Sequence, residues 1–170
     1  MHFFCGRLRG AIAIACLTIG WLSCNLRPVA ASDATAPQDA VQMTVDLLAR
    51  DDQAFRAIGL DRVRYGLKGE AATLQFAGLL SKLAPARQLE LTAALADRGD
   101  RAALPAVLAL LLASKEPAVR AAAIHTVGAL GSGTEVAVLK TALAAADPEK
   151  AAARRALTVL RGPDVTSQIT

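Results

Sequence analysis

The stretch KEPAVRAAAIHTVGALGSG, from Lys115 to Gly133, contains one complete helix together with the signals that start and end it. Pro117 suits the first turn of a helix, where its missing N–H would have no intrahelical partner. The residues that follow are mostly small or apolar, and the stretch closes on Gly131. Glycine just past a helix end adopts the left-handed conformation at little cost. We therefore predict a helix over residues 116–130.

The same pattern recurs along the chain at a fixed period. Pro117 lies 32 residues after Pro85 and 31 residues before Pro148. The intervening residues are rich in Ala, Leu and Arg, which are strong helix formers, and no stretch alternates β-branched residues. Two columns of apolar residues repeat every 32 residues: Val63, Leu95 and Val127, and Leu79, Leu111 and Leu143. Such a period indicates an all-α stack of helical hairpins, each burying its apolar face against its neighbours.

The breaks divide the chain into a leading helix, three hairpins and a last helix. The predicted segments are a leading helix over 38–50, hairpins that pair 52–67 with 70–83, 85–97 with 101–113 and 116–130 with 134–146, and a final helix over 148–161. The final helix has no partner in this arrangement. Either the first and last helices cap the stack, or the chain is a piece of a longer protein.

Several segments resemble a known repeat. EPAVRAAAIHTVGALG, residues 116–131, resembles the HEAT-like repeat of phycobilisome-lyase-type proteins, and DPEKAAARRALTVLRG, residues 147–162, is similar. DDQAFRAIGL, residues 51–60, resembles it less closely. The likeness covers residues 52–162 and implies a right-handed α-α superhelix, a HEAT-like solenoid. We assign the repeat domain to residues 38–162 and a C-terminal tail to residues 163–170.

The resemblance is informative about fold rather than activity. Some relatives attach bilin chromophores to cysteines, others are interaction scaffolds, and one branch repairs alkylated DNA. No residues of this chain match a catalytic motif of any of these groups, so we expect a protein that is not an enzyme and needs no cofactor. A bilin lyase or isomerase remains an alternative that added bilin would test by absorbance. Function inferred from fold alone is analogy.

The N-terminus has the layout of a secretory signal peptide. Arg7 and Arg9 precede an apolar stretch over 11–22, and the small residues Val-Ala-Ala come before Ser32. The apolar stretch is shorter than the roughly 20 residues that span a bilayer, which disfavours an uncleaved anchor. We predict a signal peptide over residues 1–31 and export to the periplasm, the cell envelope or the medium.

Cleavage before Ser32 changes the composition of the working protein. All three cysteines lie in the signal, which excludes a disulfide framework and a cysteine-rich zinc site from the mature chain. One of them, Cys24, offers a lipid anchor as an alternative, although Trp21 and Leu22 fit a lipidation signal poorly. We read residues 32–37, SDATAP, as a flexible leader.

The mature chain keeps 16 basic and 15 acidic residues, a net charge of +1. The two kinds of charge alternate along the chain, whereas nucleic-acid binders need a clustered basic face. We therefore expect no nucleic-acid partner. We also expect no integral membrane span in the mature chain and no small-molecule substrate.

The polar residues that could carry chemistry have structural explanations. His125 lies nearly opposite the apolar stripe of its helix, with no Asp, Glu, Cys or second His at the positions three or four residues away. We expect it on the surface. Asp51 and Asp52 stand at a helix start, where carboxylates satisfy free N–H groups. We expect no catalytic, metal or cofactor residue.

An arginine recurs early in successive first helices. These arginines, which we call the arginine column, either form an anion-binding surface or, as we favour, pair with acids and helix ends of adjacent repeats. The arginines are Arg56, Arg87, Arg120 and Arg154, and the acids considered are Asp52, Asp97, Glu116 and Asp147.

The second helix of each hairpin supplies the remaining surface. Its core stripe is predicted from Phe76, Leu79, Leu80 and Leu83, then Leu104, Val107, Leu108 and Leu111, then Val136, Leu139 and Leu143. The opposite, concave face has small side chains and is almost uncharged, and comprises Leu74, Gly78, Ser81, Ala102, Ala106, Ala109, Ala113, Val138, Thr141 and Ala145.

Exposed apolar patches such as this concave face often mark interfaces. We expect a non-enzymatic protein–protein interaction module or scaffold with an unknown protein partner. An accessory or truncated repeat domain of a larger exported enzyme is the alternative.

Overall fold

The computed structural model describes residues 35–160, which lie within the compact unit Ala31–Thr170. The α-helices of this part of the chain are α1 Thr35–Ala49, α2 Gln53–Asp61, α3 Glu70–Ala77, α4 Pro85–Arg98, α5 Leu104–Ala113, α6 Pro117–Leu130, α7 Val136–Ala142 and α8 Glu149–Val159. A π-helical turn at Arg62–Gly66 continues α2, and 3-10 turns at Leu80–Lys82, Arg101–Ala103 and Gly133–Glu135 adjoin α3, α5 and α7. The signal peptide and the tail predicted over 163–170 lie outside the described residues.

The helices follow one another in the predicted order, but each of the later second helices packs mainly on the next helix of the chain, α5 on α6 and α7 on α8, rather than on its predicted hairpin partner. α2 with its π-helical turn is followed by α3, α4 by α5, and α6 by α7, while α8 packs on both α6 and α7. The first helices also pack against one another in chain order, α2 on α4, α4 on α6 and α6 on α8. Residues 35–160 contain no β-strand, so the prediction of an all-α helical solenoid is confirmed. None of the helices described is long and apolar enough to cross a bilayer.

The helix boundaries follow the predicted signals, with small shifts. Pro85 and Pro117 are the first residues of α4 and α6, as predicted, whereas Pro148 stands one residue before α8. The Asp52 carboxylate caps α2 by accepting hydrogen bonds from the backbone N–H groups of Ala54 (2.7 Å) and Phe55 (3.4 Å). Helix α1 begins at Thr35, inside the stretch 32–37 that we predicted as a flexible leader.

Both apolar columns enter the core, to different depths. Val63, Leu95 and Val127 are fully buried. In the second column Leu111 is buried, whereas its counterparts Leu79 and Leu143 are half-buried. The predicted core stripe of the second helices is otherwise confirmed, since every member is buried or partly buried against the core: Phe76, Leu80, Leu83, Leu104, Val107, Leu108, Val136 and Leu139.

Glycine plays two different roles at the helix ends. Gly99 follows α4 with φ 73°, the left-handed conformation predicted for it. Gly131 after α6 was predicted in the same way, and this prediction is wrong, because its φ is −75°. Its backbone is extended instead, with ψ −178°, and a Cβ there would lie 2.5 Å from the carbonyl oxygen of Val127. Gly131 therefore provides space rather than an unusual φ.

The closest helix approach joins α6 to α8. A Cβ built on Gly128 would lie 2.5 Å from both the Cα and the Cβ of Ala156. Real Cβ atoms do not approach other carbons so closely, so the two backbones can pack at this distance only because position 128 has no side chain. Further along the same layer, the Thr126 hydroxyl of α6 lies 3.4 Å from the carbonyl oxygen of Thr92 in α4.

A polar network joins the first two hairpins at their loops. The Thr73 hydroxyl donates to the Asp100 carboxylate (2.6 Å) and accepts from Arg98 Nε (2.7 Å). Arg98 also donates to the carbonyl oxygens of Val63 (2.7 Å) and Gly69 (3.2 Å). The hydrogen bond from Thr73, together with one from the Ala102 backbone N–H, holds the pKa of Asp100 below its ordinary value of 3.8.

Replacing Gly128 by alanine tests the close approach of α6 and α8. In an open helix the change would stabilise by about 1 kcal/mol through helix propensity. Here we expect Gly128→Ala to lower the free energy of unfolding by about 1–3 kcal/mol, because the added methyl overpacks the contact with Ala156. Urea denaturation followed by circular dichroism measures it.

The control is Gly66→Ala, because a Cβ at position 66 would only touch the Arg62 side chain at an ordinary 3.5 Å. This variant should be as stable as the parent or slightly more stable. A Gly128→Ala variant that matched or exceeded the parent's stability would show that the close approach is not required.

The lowered pKa of Asp100 predicts a pH dependence of stability. A carboxylate whose pKa is depressed on folding stabilises the fold above its unfolded pKa of about 4, and the contribution disappears as pH falls through the folded value. We expect Asp100→Asn to be less stable than the parent at neutral pH, with the difference shrinking below about pH 4.

Thermal denaturation over a pH series measures this difference. Asp39→Asn is the control, because Asp39 is exposed on α1 and makes no hydrogen bond to another described residue. A difference between Asp100→Asn and the parent that stays constant from neutral to strongly acidic pH would contradict the assignment.

Candidate functional site

Five residues of the predicted concave face meet in one cleft. Gly78, Ser81, Ala106, Ala109 and Ala113 line a depression of about 430 Å³ between α3, its 3-10 turn and α5. We call this depression the α3–α5 cleft. Its other lining residues, which the sequence did not single out as part of this face, are Ala77, Leu80, Gln88, Leu110 and Ser114. None of the lining side chains carries a formal charge.

Three more predicted residues line a second depression on the other side of α5. Val138, Thr141 and Ala145 border a groove of about 250 Å³ together with Leu111, Leu112, Arg120 and Ala142. We call it the α5–α7 groove. The two remaining predicted residues, Leu74 and Ala102, line neither depression: Leu74 is exposed on α3, and Ala102 is half-buried in the 3-10 turn before α5.

Helix α5 separates the two depressions and is apolar on its exposed side as well as its buried side. Its sequence, LPAVLALLLA, contains no charged or hydrogen-bonding side chain. Ala109, Leu112 and Ala113 face solvent, and Leu112 is 81% exposed. A helix that is hydrophobic all round is normally buried. The exposed side of α5 is therefore the unusual feature of this surface.

The sequence held a signal for this feature that the repeat pattern obscured. Leu110 and Leu112 fall outside the 32-residue columns, yet Leu110 is buried at the edge of the α3–α5 cleft and Leu112 projects beside the α5–α7 groove. The ten consecutive residues of α5 contain no charged side chain. This feature of the sequence would have identified Leu110 and Leu112 as part of the surface. Gln88 was missed because its amide reaches back from α4 to donate to the carbonyl oxygen of Leu80 (2.9 Å).

The arginine column makes the ion pairs between repeats that we favoured, but with other acids than those considered. Arg120 forms a bidentate pair with Glu149, with both N–O distances 2.9 Å. Arg56 lies 3.6 Å from Glu90, and Arg87 pairs with Asp51.

The four acids that we had considered lie elsewhere. Asp52 caps α2, Asp97 pairs with Arg64, and no salt bridge to an arginine of the column involves Glu116 or Asp147 among the described residues. The observed partners, Glu90, Asp51 and Glu149, lie 29 to 36 residues away from their arginines in sequence, so local spacing does not identify them. Arg154 is exposed on α8.

The remaining candidates for chemistry lie outside the two depressions. His125 is exposed on α6, as predicted. Within residues 35–160 no three His, Cys, Asp or Glu side chains are grouped so that they could hold a metal ion. Arg120 is the one charged residue lining the α5–α7 groove, and its guanidinium is held by Glu149, which raises its pKa.

Comparison with known proteins supports the repeat assignment. Residues 76–158, from the end of α3 into α8, match the family model of HEAT repeats. No curated protein and no solved structure matches the chain. The match covers the two hairpins α4–α5 and α6–α7, whose stacking the structure shows directly. Residues 76–158 are therefore similar to HEAT repeats, and they lie within an all-α helical solenoid.

Proposed function

We propose that this protein is a non-enzymatic protein–protein interaction module, a scaffold of the periplasm or cell envelope. The observation that carries the proposal is the uncharged, solvent-facing side of α5, with the uncharged α3–α5 cleft on one flank and the mostly apolar α5–α7 groove on the other. Stacked-repeat proteins use such extended surfaces to bind partners. A partner that covered Leu112 and Ala109 would remove apolar surface from water, which favours association.

The lining of the α3–α5 cleft supports binding rather than catalysis. Ser81 and Ser114 contribute hydroxyls, but no His, Asp, Glu or Lys lines the cleft to activate them as nucleophiles. Its volume of about 430 Å³ would accommodate a few apolar side chains of a partner. The proposal takes only the fold from the likeness to phycobilisome-lyase-type repeats, and assigns no bilin chemistry.

The proposed location rests on the N-terminal sequence. The basic start, short apolar stretch and small residues before Ser32 are typical of a signal peptide. In that location the mature chain, which has no cysteine, needs no disulfide for stability because its length is sufficient to bury a core.

Charge placed on α5 tests the interaction surface. We expect the double variant Ala109→Glu/Ala113→Glu to lose its partner in the native host, because both positions are exposed and a carboxylate there would be buried unpaired by the partner. The measurement is chemical cross-linking of a C-terminally tagged chain in the envelope fraction, followed by quantitative mass spectrometry. The parent should yield one stoichiometric protein that the variant yields at least tenfold less.

The control is Ala93→Glu/Ala129→Glu, which places the same charges at exposed positions of α4 and α6. It should retain the partner. Loss of the partner in both double variants, or its retention in both, would contradict the assignment of the interaction surface to α5. A parent that captures nothing would instead favour the accessory or truncated domain of a larger enzyme. The intact mass of the captured chain tests export in the same sample, since cleavage leaves a chain that starts at Ser32.

A further inference from the structure

Met43 carries the only sulfur atom of the described residues 35–160, because the other methionine and all three cysteines of the chain lie within residues 1–31. Met43 belongs to α1, whose Thr44 and Leu48 are buried in the core. The Met43 side chain is 55% exposed. Peroxides react with accessible sulfur atoms. Met43 is therefore the one sulfur target that the described part of the chain offers to such an oxidant.

The Met43 sulfur contacts a guanidinium that pairs with no carboxylate. Arg62, the first residue of the π-helical turn after α2, donates a hydrogen bond from Nη1 to Met43 Sδ over 3.3 Å. No salt bridge joins Arg62 to an acid within residues 35–160. Asp61, directly before Arg62, pairs with Arg64 (3.0 Å). A thioether is only a weak acceptor, so this guanidinium donates to a poor partner.

The acids of α1 beside Met43 leave the Arg62 guanidinium available as well. Asp46, one turn after Met43, accepts a hydrogen bond from the side-chain amide of Gln42 (3.0 Å). Asp39, one turn before Met43, forms no ion pair with any residue that the structure describes. An oxygen added to the Met43 sulfur would therefore have the Arg62 guanidinium as its nearest charged donor.

We propose that Met43 is a reversible oxidation site and that the Arg62 guanidinium binds its sulfoxide oxygen. In the forward step a lone pair of the sulfur attacks one oxygen of hydrogen peroxide, and the O–O bond breaks. The second oxygen leaves as hydroxide, which takes the proton of the transferred oxygen and becomes water. The sulfur is oxidised by two electrons and the peroxide is reduced. Methionine sulfoxide reductases, with thiols as the source of electrons, return the thioether and release water.

Oxidation converts the contact between Met43 and Arg62 from a weak hydrogen bond into a charge-assisted one, which is shorter and stronger than a neutral hydrogen bond. Methionine has three rotatable bonds, so the new oxygen can turn toward Nη1 without movement of either helix. Oxidation of a buried methionine disrupts a core. Because the Met43 side chain is exposed, its oxidation should instead strengthen the link between α1 and α2. This inference does not depend on the proposed function.

Thermal unfolding of the purified protein before and after treatment with hydrogen peroxide tests the sign of this effect. Peptide mapping by mass spectrometry should place one added oxygen on Met43. The oxidised parent should melt about 2 °C above the reduced parent. Treatment with the two epimer-specific methionine sulfoxide reductases should restore the original melting temperature. The variant Met43→Leu, which has no sulfur at this position, should show no shift with peroxide.

Arginine variants identify the donor. Arg62→Leu should lose the gain, so that its oxidised form melts at or below the temperature of its reduced form. Arg50→Leu is the matched control, because the Arg50 guanidinium lies over the Phe55 ring, 4.9 Å from the centroid, rather than against Met43. The Arg50→Leu variant should keep the gain of the parent.

Three outcomes would overturn the proposal. If Met43 stays unmodified while a methionine peptide in the same sample is oxidised, Met43 is not an oxidation site. If the oxidised parent is destabilised as much as oxidised Arg62→Leu, the guanidinium does not bind the sulfoxide. If the gain persists in Arg62→Leu, another group is responsible for it. None of these results bears on α5, whose partner the cross-linking experiment tests separately.

Discussion

The close approach of α6 to α8 depends on a position that has no side chain. Gly128 lies so close to Ala156 that no side chain fits between the two helices. The first helices pack on one another in chain order, α2 on α4, α4 on α6 and α6 on α8. Small residues such as Ala94, Ala123 and Ala153, all fully buried, extend the same principle along the layer. Small side chains thus permit a dense core without many large ones.

Polar contacts near the helix ends join successive repeats, and none of these contacts involves a side chain of α5. Arg98 bridges the loops of the first two hairpins, Arg120 reaches from α6 to Glu149, and Arg101 lies beside Ser132 and Glu135. Each joins one repeat to the next near a helix end. Helix α5 itself carries no charge, and the two depressions lie on its flanks. Arg120 is the one residue of these polar contacts that also lines a depression, the α5–α7 groove.

The sequence predicts the fold well because the repeat is encoded locally. Proline at the start of α4 and α6, and the buried column of Val63, Leu95 and Val127, are read directly from periodicity. The residues that line the clefts are predicted less completely, since a cleft depends on distances between helices. Leu110 and Gln88 escaped because neither follows the period, and the partner of Arg120 escaped because Glu149 approaches only when α8 packs on α6. Gly131 shows the same limit, because crowding rather than a left-handed φ requires glycine there.

The proposed interaction surface requires that a partner covers α5 in the cell. Site-specific photo-cross-linking tests this directly: a photoreactive amino acid is placed at position 109 or 113 of α5 in the native host, and at position 93 of α4 for comparison. All three positions are exposed in the chain alone. We expect positions 109 and 113 to cross-link to the same protein and position 93 not to do so. Cross-links from position 93 alone, or none from α5, would contradict the proposed surface.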